Sequence, residues 1–307
     1  MMTQYKPKTI IIWRISDGRS GHNTQSRGLV NALEKLTPCV CHDIEAMALK
    51  SGLAQYLLKQ YRPGNDLPDP NLIIGAGHGT HLSLLCAQHA RGGRTVVIMK
   101  PSLPFGWFDY CLIPEHDNPP DDKHTLVTRG AINMVTASKQ HQDNQGLMLI
   151  GGPSKHFCWD SGAILKQIKT ILERTAHVSW KISDSPRTPE NMCDALARLH
   201  YPNAHFMPHK TTGPDWVASQ LATAGNVWVS EDSISMIYES LTSGAATGTL
   251  HVPVKKQGKI NHDIQTLNDN GMITTFEAWQ NGALLSPPAE MLNEAARAAK
   301  YLLEIYH

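Results

Sequence analysis

Four short segments of this 307-residue chain carry the residue types that do chemistry, and each follows an apolar run. The first, residues 17–25 (DGRSGHNTQ), joins Gly18 and Gly21, which let the backbone turn tightly, to Asp17, Ser20, His22, Asn23 and Thr24 at the mouth of a helix. Backbone N–H groups at a helix start favour an anion or a developing negative charge. An imidazole titrating near ~6.5 can act there as a general base. A histidine that merely caps the helix fits the same spacing. The second segment, 75–81 (GAGHGTH), spaces its glycines G-x-G-x-G and not G-x-G-x-x-G, and no Asp or Glu occurs from Ala76 to Phe108. Without the acid that would take a ribose, dinucleotide binding is disfavoured. His78 and His81 lack a third ligand nearby, so they read as helix-capping residues and not as a metal site.

The third segment, 151–157 (GGPSKHF), offers free backbone donors, the Ser154 hydroxyl and the Lys155 ammonium, which together could hold a diphosphate. It lacks the G-K-[ST] of a P-loop, so ATPase chemistry has no support. The fourth, 230–253 (SEDSISMIYESLTSGAATGTLHVP), places Ser233 and Ser235 in the first turn of a helix, where hydroxyls and exposed N–H groups bind phosphate. Glu239 follows on the same helix, where a carboxylate can take two ribose hydroxyls. The plainer reading is an N-cap by Ser230, Asp232 or Ser233 with Glu239 in solvent. Taken alone, that plainer reading prevails. After a strand, in the second of two Rossmann-like halves, the nucleotide reading takes precedence.

The elements that must position these segments follow from apolar periodicity. Residues 9–15 (TIIIWRI) form a buried parallel strand, and 25–36 a helix with Leu29, Val30, Leu33 and Leu36 at helical spacing. Strands at 71–74, 95–99 and 109–113, with a helix at 82–90 ended by Gly92 and Gly93, repeat the pattern. The polar stretch 138–145 breaks the rhythm and sets a domain boundary, giving domains 1–143 and 144–307. The second half restarts with a strand at 147–150 and an amphipathic helix at 161–174. Further strands are expected at 177–182, 204–207, 226–229 and 248–252, with helices near 188–200, 214–223, 232–243 and 261–270. Strand and helix alternate with no run of hairpins, which predicts an α/β protein with parallel, doubly wound sheets. Ligands of such sheets bind outside the carboxyl ends of the strands. The last helix, 288–306, is expected to cross back and cap the first domain.

Composition narrows the class. Lys and Arg number 28 against 27 Asp and Glu, a net charge of +1, which argues against a nucleic-acid binder. Apolar residues are 41% and charged residues 18%, ordinary globular values. Six scattered cysteines with no C-x-x-C pair read as reduced thiols. The N-terminal MMTQYKPKT has no apolar core of an export signal, and no apolar run approaches the ~20 residues of a membrane span. A cytoplasmic protein is expected, at most peripheral at a membrane.

The fourth segment resembles the donor-nucleotide helix of GT-B glycosyltransferases, and the first resembles the Gly-rich acceptor loop of the peptidoglycan N-acetylglucosaminyl transferase. The whole chain resembles the plant mitochondrial-fission "elongated mitochondria" family and its bacterial relatives, described as GT-B glycosyltransferases. The matching stretches, in order, are DGRSGHNTQ, FDYCLIPEHD, TRGAIN, GGPSKHFCWD, SPRTP and SEDSISMIYES. The resemblance implies two Rossmann-like domains with an interdomain cleft, an acceptor domain first and a nucleotide-sugar domain second. It implies that Gly152, Ser154, Lys155, Arg187 and Thr188 face the donor diphosphate, that Ser233, Ser235 and Met236 close over it, and that Glu239 takes the ribose. On the acceptor side it implies His22 as base, oriented by Asp17 and Asn23 beside Gly21, with Glu115, His116 and Asp117 lining the cleft. No bound metal or permanent cofactor is implied, helix dipole and cations serving instead. Arg19 and Ser20 stand where the peptidoglycan enzyme carries small residues, so the acceptor need not be a lipid-linked muropeptide.

The function expected is transfer of a sugar from a nucleotide-diphosphate sugar to a hydroxyl acceptor that the sequence does not name, a membrane-associated one included. Two rivals stand beside it: a non-catalytic scaffold with a GT-B shell, and a nucleotide-sugar epimerase of the non-hydrolysing type. For the scaffold the obvious apolar patch is 102–108 (SLPFGWF), which could also touch a membrane-bound acceptor or pack in the core.

Overall fold

A computed structural model describes residues 9–213, 215–255 and 258–306; residues 1–8, read above for an export signal, and Pro214, at an expected helix start, lie outside them. In chain order the elements are β1 Ile10–Ser16, α1 Ser20–Glu34, β2 Cys39–Glu45, α2 Leu49–Leu57, β3 Leu72–Ala76, α3 His81–Arg91, β4 Arg94–Ile98, β5 Tyr110–Pro114 and β6 Thr125–Thr128. They continue with β7 Gln142–Leu149, α4 Ser161–Arg174, β8 Ser179–Ser183, α5 Glu190–Ala197, β9 Ala204–Phe206, α6 Trp216–Leu221, β10 Ala224–Ser230 and α7 Ile234–Ser243. The chain ends through β11 Ala246–Leu250, α8 Lys259–Asp269, β12 Thr274–Thr275, α9 Phe276–Gln280 and α10 Glu294–Tyr306.

The chain divides into two compact units, one ending at Met134 and completed by the chain from Asn293, the other running from Val135 to Leu292. The division precedes the expected boundary at 143/144, because the polar run 138–145 already contains the start of β7. Each unit holds one six-stranded sheet whose described pairings are all parallel. The two sheets have the architecture expected of paired Rossmann-like domains.

Alternation along each strand builds two cores per sheet. In the first unit Ile12, Leu72, Ile74, Val96, Ile98 and Leu112 face one side, while Trp13, Ile15, Ile73, Val97 and Ile113 face the other. The first side is covered by Leu29, Val30 and Leu33 of α1 and by Ala295, Ala298, Ala299 and Leu302 of α10. The small alanines let α10 lie close on α1, and Leu302 is 1% exposed. The final helix thus belongs to the first unit, although it begins at Glu294 and not at 288. In the second unit Leu147, Leu149, Val227 and Val229 face one side, and Met148, Ile150, Trp180, Ile182 and Trp228 the other.

Strand order decides where a ligand can lodge. The first sheet runs β2-β1-β3-β4-β5-β6, so the chain reverses its direction of growth between β1 and β3. The second runs β12-β11-β10-β7-β8-β9, reversing between β7 and β10. At such a reversal the connections leave to opposite faces and open a crevice at the carboxyl ends of the two strands. The DGRSGHN segment follows β1, and both GGPSK and SEDSIS flank the β7/β10 reversal.

Candidate functional site

In the first unit α1 starts at Ser20, five residues before the expected start, so His22 and Asn23 lie in its first turn. The His22 ring donates from Nδ1 to Asp17 Oδ2 at 2.8 Å, with its side chain 15% exposed. Asp17 Oδ1 accepts the Arg19 amide at 3.2 Å. Burial acts to raise the Asp17 pKa, but the His22 bond, the Arg19 amide and the charges beside it hold the carboxyl below its ordinary value. An ionised Asp on Nδ1 fixes the tautomer and leaves Nε2 as the basic nitrogen, the arrangement of a general base. His22 therefore does not cap the helix. Asn23 does not orient it, contrary to expectation: its amide oxygen accepts Ser16 Oγ at 2.6 Å and Arg14 at 3.4 Å, bracing the loop from below.

The G-x-G-x-G segment after β3 has a purpose that its failed dinucleotide spacing hid. Gly77, at φ +75°, lies so close to the His22 ring that a Cβ would sit 2.2 Å from it, and one on Gly79 would sit 2.8 Å from Asp17 Oδ2. The two glycines of β3's loop make room for the dyad of β1's loop. Gly77→Ala should therefore displace the ring and impose a left-handed backbone on a side chain, costing about 2 kcal/mol or more. Chemical denaturation would measure the loss, and an altered His22 NMR titration would locate it. His81 is not a cap; it is buried within α3 against Phe108, with ring centroids 5.2 Å apart, and desolvation lowers its pKa to about 4. Glu115, His116 and Asp117 form a turn at the end of β5, separated from β1 in the sheet by β3 and β4. Of the 102–108 segment, Phe108 packs in the core while Trp107 is 54% exposed.

In the second unit two consecutive carboxylates at the end of β10 turn to opposite sides. Asp232, with a fully buried side chain, accepts the Gly152 amide at 2.9 Å and pairs with Arg187 at 2.9 Å. Arg187 also donates to the Gly152 carbonyl at 3.0 Å and to Ser233 Oγ at 3.4 Å. The Ser230 hydroxyl accepts the Gly151 amide at 2.8 Å. A Cβ on Gly152 would fall 2.1 Å from the Arg187 carbonyl, so only glycine permits this approach. Asp232 Oδ1 has no partner among the described residues, an acceptor left over in a donor-rich site. On the other side Glu231 accepts the His251 ring at 3.0 Å and the Val252 amide at 3.0 Å. The Glu231 hydrogen bond outweighs desolvation and raises the His251 pKa, presenting an exposed imidazole at the end of β11.

These bonds dispose of the plainer reading of the SEDSIS segment. Ser230 and Asp232 are turned to the glycine loop, and Ser233, at the N-cap, makes no capping bond. The first N–H groups of α7 thus lack a side-chain cap, at the positive end of the helix dipole. Ser235 and Glu239 are four residues apart on one face of α7. Glu239 is half-buried, pairs with no donor among the described residues, and desolvation pushes its carboxyl up to about 7. Lys155 is exposed with no partner among the described residues, and Met236 is half-buried beside the helix start. Ser154 Oγ accepts the His156 amide at 3.3 Å. Thr188 is a correction: its hydroxyl turns inward to the Ile150 carbonyl at 3.0 Å and to Ser185, so it shapes the loop and does not face a diphosphate. Sequence reasoning missed Asp232 as the organiser of the site; an acid two residues after the end of β10, in the same half as the two glycines that follow β7, was the available signal. It also missed the Glu231–His251 pair and the buried Asp184, which accepts His209 Nδ1 at 2.8 Å.

Among the described residues no group of three or more His, Cys, Asp or Glu side chains is arranged to hold a metal ion. No described helix is long and apolar enough to cross a membrane.

Comparisons with known proteins agree on the architecture. A protein of Listeria monocytogenes described as a UDP-N-acetylglucosamine 2-epimerase is similar at a TM-score of 0.65 and 13% identity, covering 96% of this chain and 95% of that one. The UDP-GlcNAc 2-epimerase of Neisseria meningitidis, solved bound to UDP-GlcNAc, is similar at a TM-score of 0.56 and 12% identity, over 97% and 100% of the two chains. A glycosyltransferase of kitacinnamycin gives 0.51 and 14% identity, over 98% and 100%. At such identities the likeness is one of fold, the two-domain GT-B type. In sequence, an uncharacterised protein of Rickettsia prowazekii, RP120, is 24% identical over 290 residues, covering 76% of this chain and 81% of its own. The family model described as "Mitochondrial fission ELM1" matches residues 20–306, and the chain belongs to that family.

Proposed function

We propose that this protein is a metal-independent glycosyltransferase that takes its sugar from a nucleotide-diphosphate donor. The observation that carries the reading is Glu239, a desolvated carboxylate with no partner among the described residues, on the helix whose uncapped N-terminus stands at the β7/β10 reversal. Such a carboxylate is suited to two ribose hydroxyls, and the N–H groups ahead of it to a phosphate. Arg187, held by Asp232 and reaching Ser233, and the exposed Lys155 supply positive charge. Gly152 and Ser154 keep the loop close, while Ser235 and Met236 flank the phosphate.

The Asp17–His22 dyad of the first unit is the base. His22 Nε2 takes the proton of an acceptor hydroxyl as its oxygen forms a bond to the sugar's anomeric carbon. The bond from that carbon to the diphosphate oxygen breaks, and the nucleoside diphosphate leaves with the electron pair. Cations and helix dipole stabilise that leaving group, the role a metal plays elsewhere. Gly21, Glu115, His116 and Asp117 belong to the acceptor side in this reading. It places the enzyme in the cytoplasm, where nucleotide sugars are made and thiols stay reduced.

A thermal-shift screen against UDP, GDP, ADP, dTDP and CDP tests the donor site. One base should raise the melting temperature selectively, a ligand at 100 times its Kd adding about 2.7 kcal/mol. No shift with any nucleotide would leave a non-catalytic scaffold. A changed sugar appearing with free UDP, without any acceptor, would make the protein an epimerase.

A further inference from the structure

Helix α2 and the turn after it carry a feature that nucleotide chemistry does not use. Leu49, Leu53, Tyr56 and Leu57 are 69%, 53%, 40% and 81% exposed, and Leu58 beyond them is 63% exposed. The first four fall at i, i+4, i+7 and i+8, one continuous stripe along the helix. Its leucines lie off the face by which the helix is docked, and Tyr56 marks the border between the two. Gly52 is the buried residue of α2, so close to Leu82 of α3 that a Cβ would meet its Cδ2 at 2.5 Å, and its carbonyl accepts the Cys86 thiol. Tyr56 is held over the His89 ring with centroids 4.8 Å apart. Single exposed leucines need no account, but a row of them on one helix does.

Charge selects the partner. From Ala46 to Asn65 the chain has no Asp or Glu, while Lys50, Lys59 and Arg62 are all exposed, in a protein whose charges otherwise balance. Leucines on one face with cations at its margins suit an interface of acyl chains and anionic headgroups. A two-fold pairing of this helix with a second copy would instead bring like charges together.

We propose that α2 is a membrane-docking surface, with Leu49, Leu53, Leu57 and Leu58 entering an anionic bilayer and Lys50, Lys59 and Arg62 contacting its headgroups. It is independent of the nucleotide-sugar reading and survives that reading's failure. The test is co-sedimentation of the full chain with phosphatidylcholine vesicles, with and without phosphatidylglycerol. The chain should bind the anionic vesicles, less so as salt rises from about 0.1 to about 0.5 M. Leu57→Ser and the pair Lys50→Glu/Lys59→Glu should each weaken binding by about tenfold or more, with the melting temperature unchanged because these side chains are exposed. Failure to bind, equal binding to neutral vesicles, or binding unaffected by both variants would overturn the proposal. So would a dimer in solution that Leu57→Ser dissociates without any vesicle binding.

Discussion

His22→Ala is expected to slow release of the sugar from its donor, to an acceptor or to water, by roughly 10²–10⁴-fold. Nucleotide affinity should stay unchanged, because the dyad lies in the first unit and the proposed donor residues in the second. That split separates a base from a residue that merely supports the fold. Asp17→Asn should leave the imidazole in place but remove the charge that fixes its tautomer, so activity should fall and its pH profile should shift. Steady-state rates at saturating donor, paired with nucleotide titrations, distinguish these outcomes. An unchanged rate in His22→Ala would remove the dyad from the chemistry.

Glu239→Gln is expected to do two things that rarely go together. The folded protein holds this carboxyl at about 7, against an ordinary 4.5, because burial penalises the ion. A group whose folded pKa is raised keeps its proton longer in the folded state, so stability is lost as pH climbs from the unfolded value through the folded one. Between roughly pH 4.5 and 7 the loss amounts to at most about 3 kcal/mol. Gln cannot ionise, so the variant should be more stable than the parent above pH 7 by up to that amount, and equal to it near pH 4. Nucleotide affinity should meanwhile fall by about tenfold, since an amide cannot accept from two hydroxyls as a carboxylate does. Urea denaturation at pH 4.5 and 8 measures the first effect, and calorimetry the second. A variant less stable at both pH values would mean that Glu239 holds the fold together.

The acid side behaves in the opposite sense. Asp17, Asp43 and Asp184 are each raised by burial but lowered further by hydrogen bonds, from His22 and Arg19, from Arg14 and Arg27, and from His209 and Cys193. Their contribution is present above the unfolded carboxylate pKa and is lost as pH falls through the folded one. Stability should therefore peak between these two windows.

The buried strands were legible in the sequence because both of their faces are covered. Runs such as TVVIM and LMLI admit little else: β4 appears where expected, and LMLI forms the buried end of β7, whose exposed start at Gln142 lies in the polar run before it. Both edge strands of the first sheet went unread, although β9, at an edge of the second sheet, lies at the expected 204–207. β2 (CVCHDIE) and β6 (TLVT) are covered on part of their surface, so their apolar content falls below that of a buried run. The start of α1 was misplaced because SGHNTQ carries the composition of a loop; the helix is held there by its packing on β1 and β3. At the site, His22, Asp17 and Glu239 could be read as chemical types after a strand. The inward turn of Thr188, the bracing role of Asn23 and the clamp made by Asp232 could not, because each depends on which hydrogen-bonding partner lies across the chain.

In the proposed function Glu239 of α7 receives the ribose of a bound nucleotide. Two hydroxyls donating to that carboxylate favour its ionised form, so binding near pH 6.5 must drive a proton from Glu239 into solution. Isothermal titration with the nucleotide sugar of the selected base, in buffers of different ionisation enthalpy, counts that proton; the diphosphate diester itself does not titrate in this range. Proton release is expected from the parent protein and none from Glu239→Gln, which should still bind, but weakly. Equal proton counts in both, or no nucleotide binding by the parent at all, would contradict it.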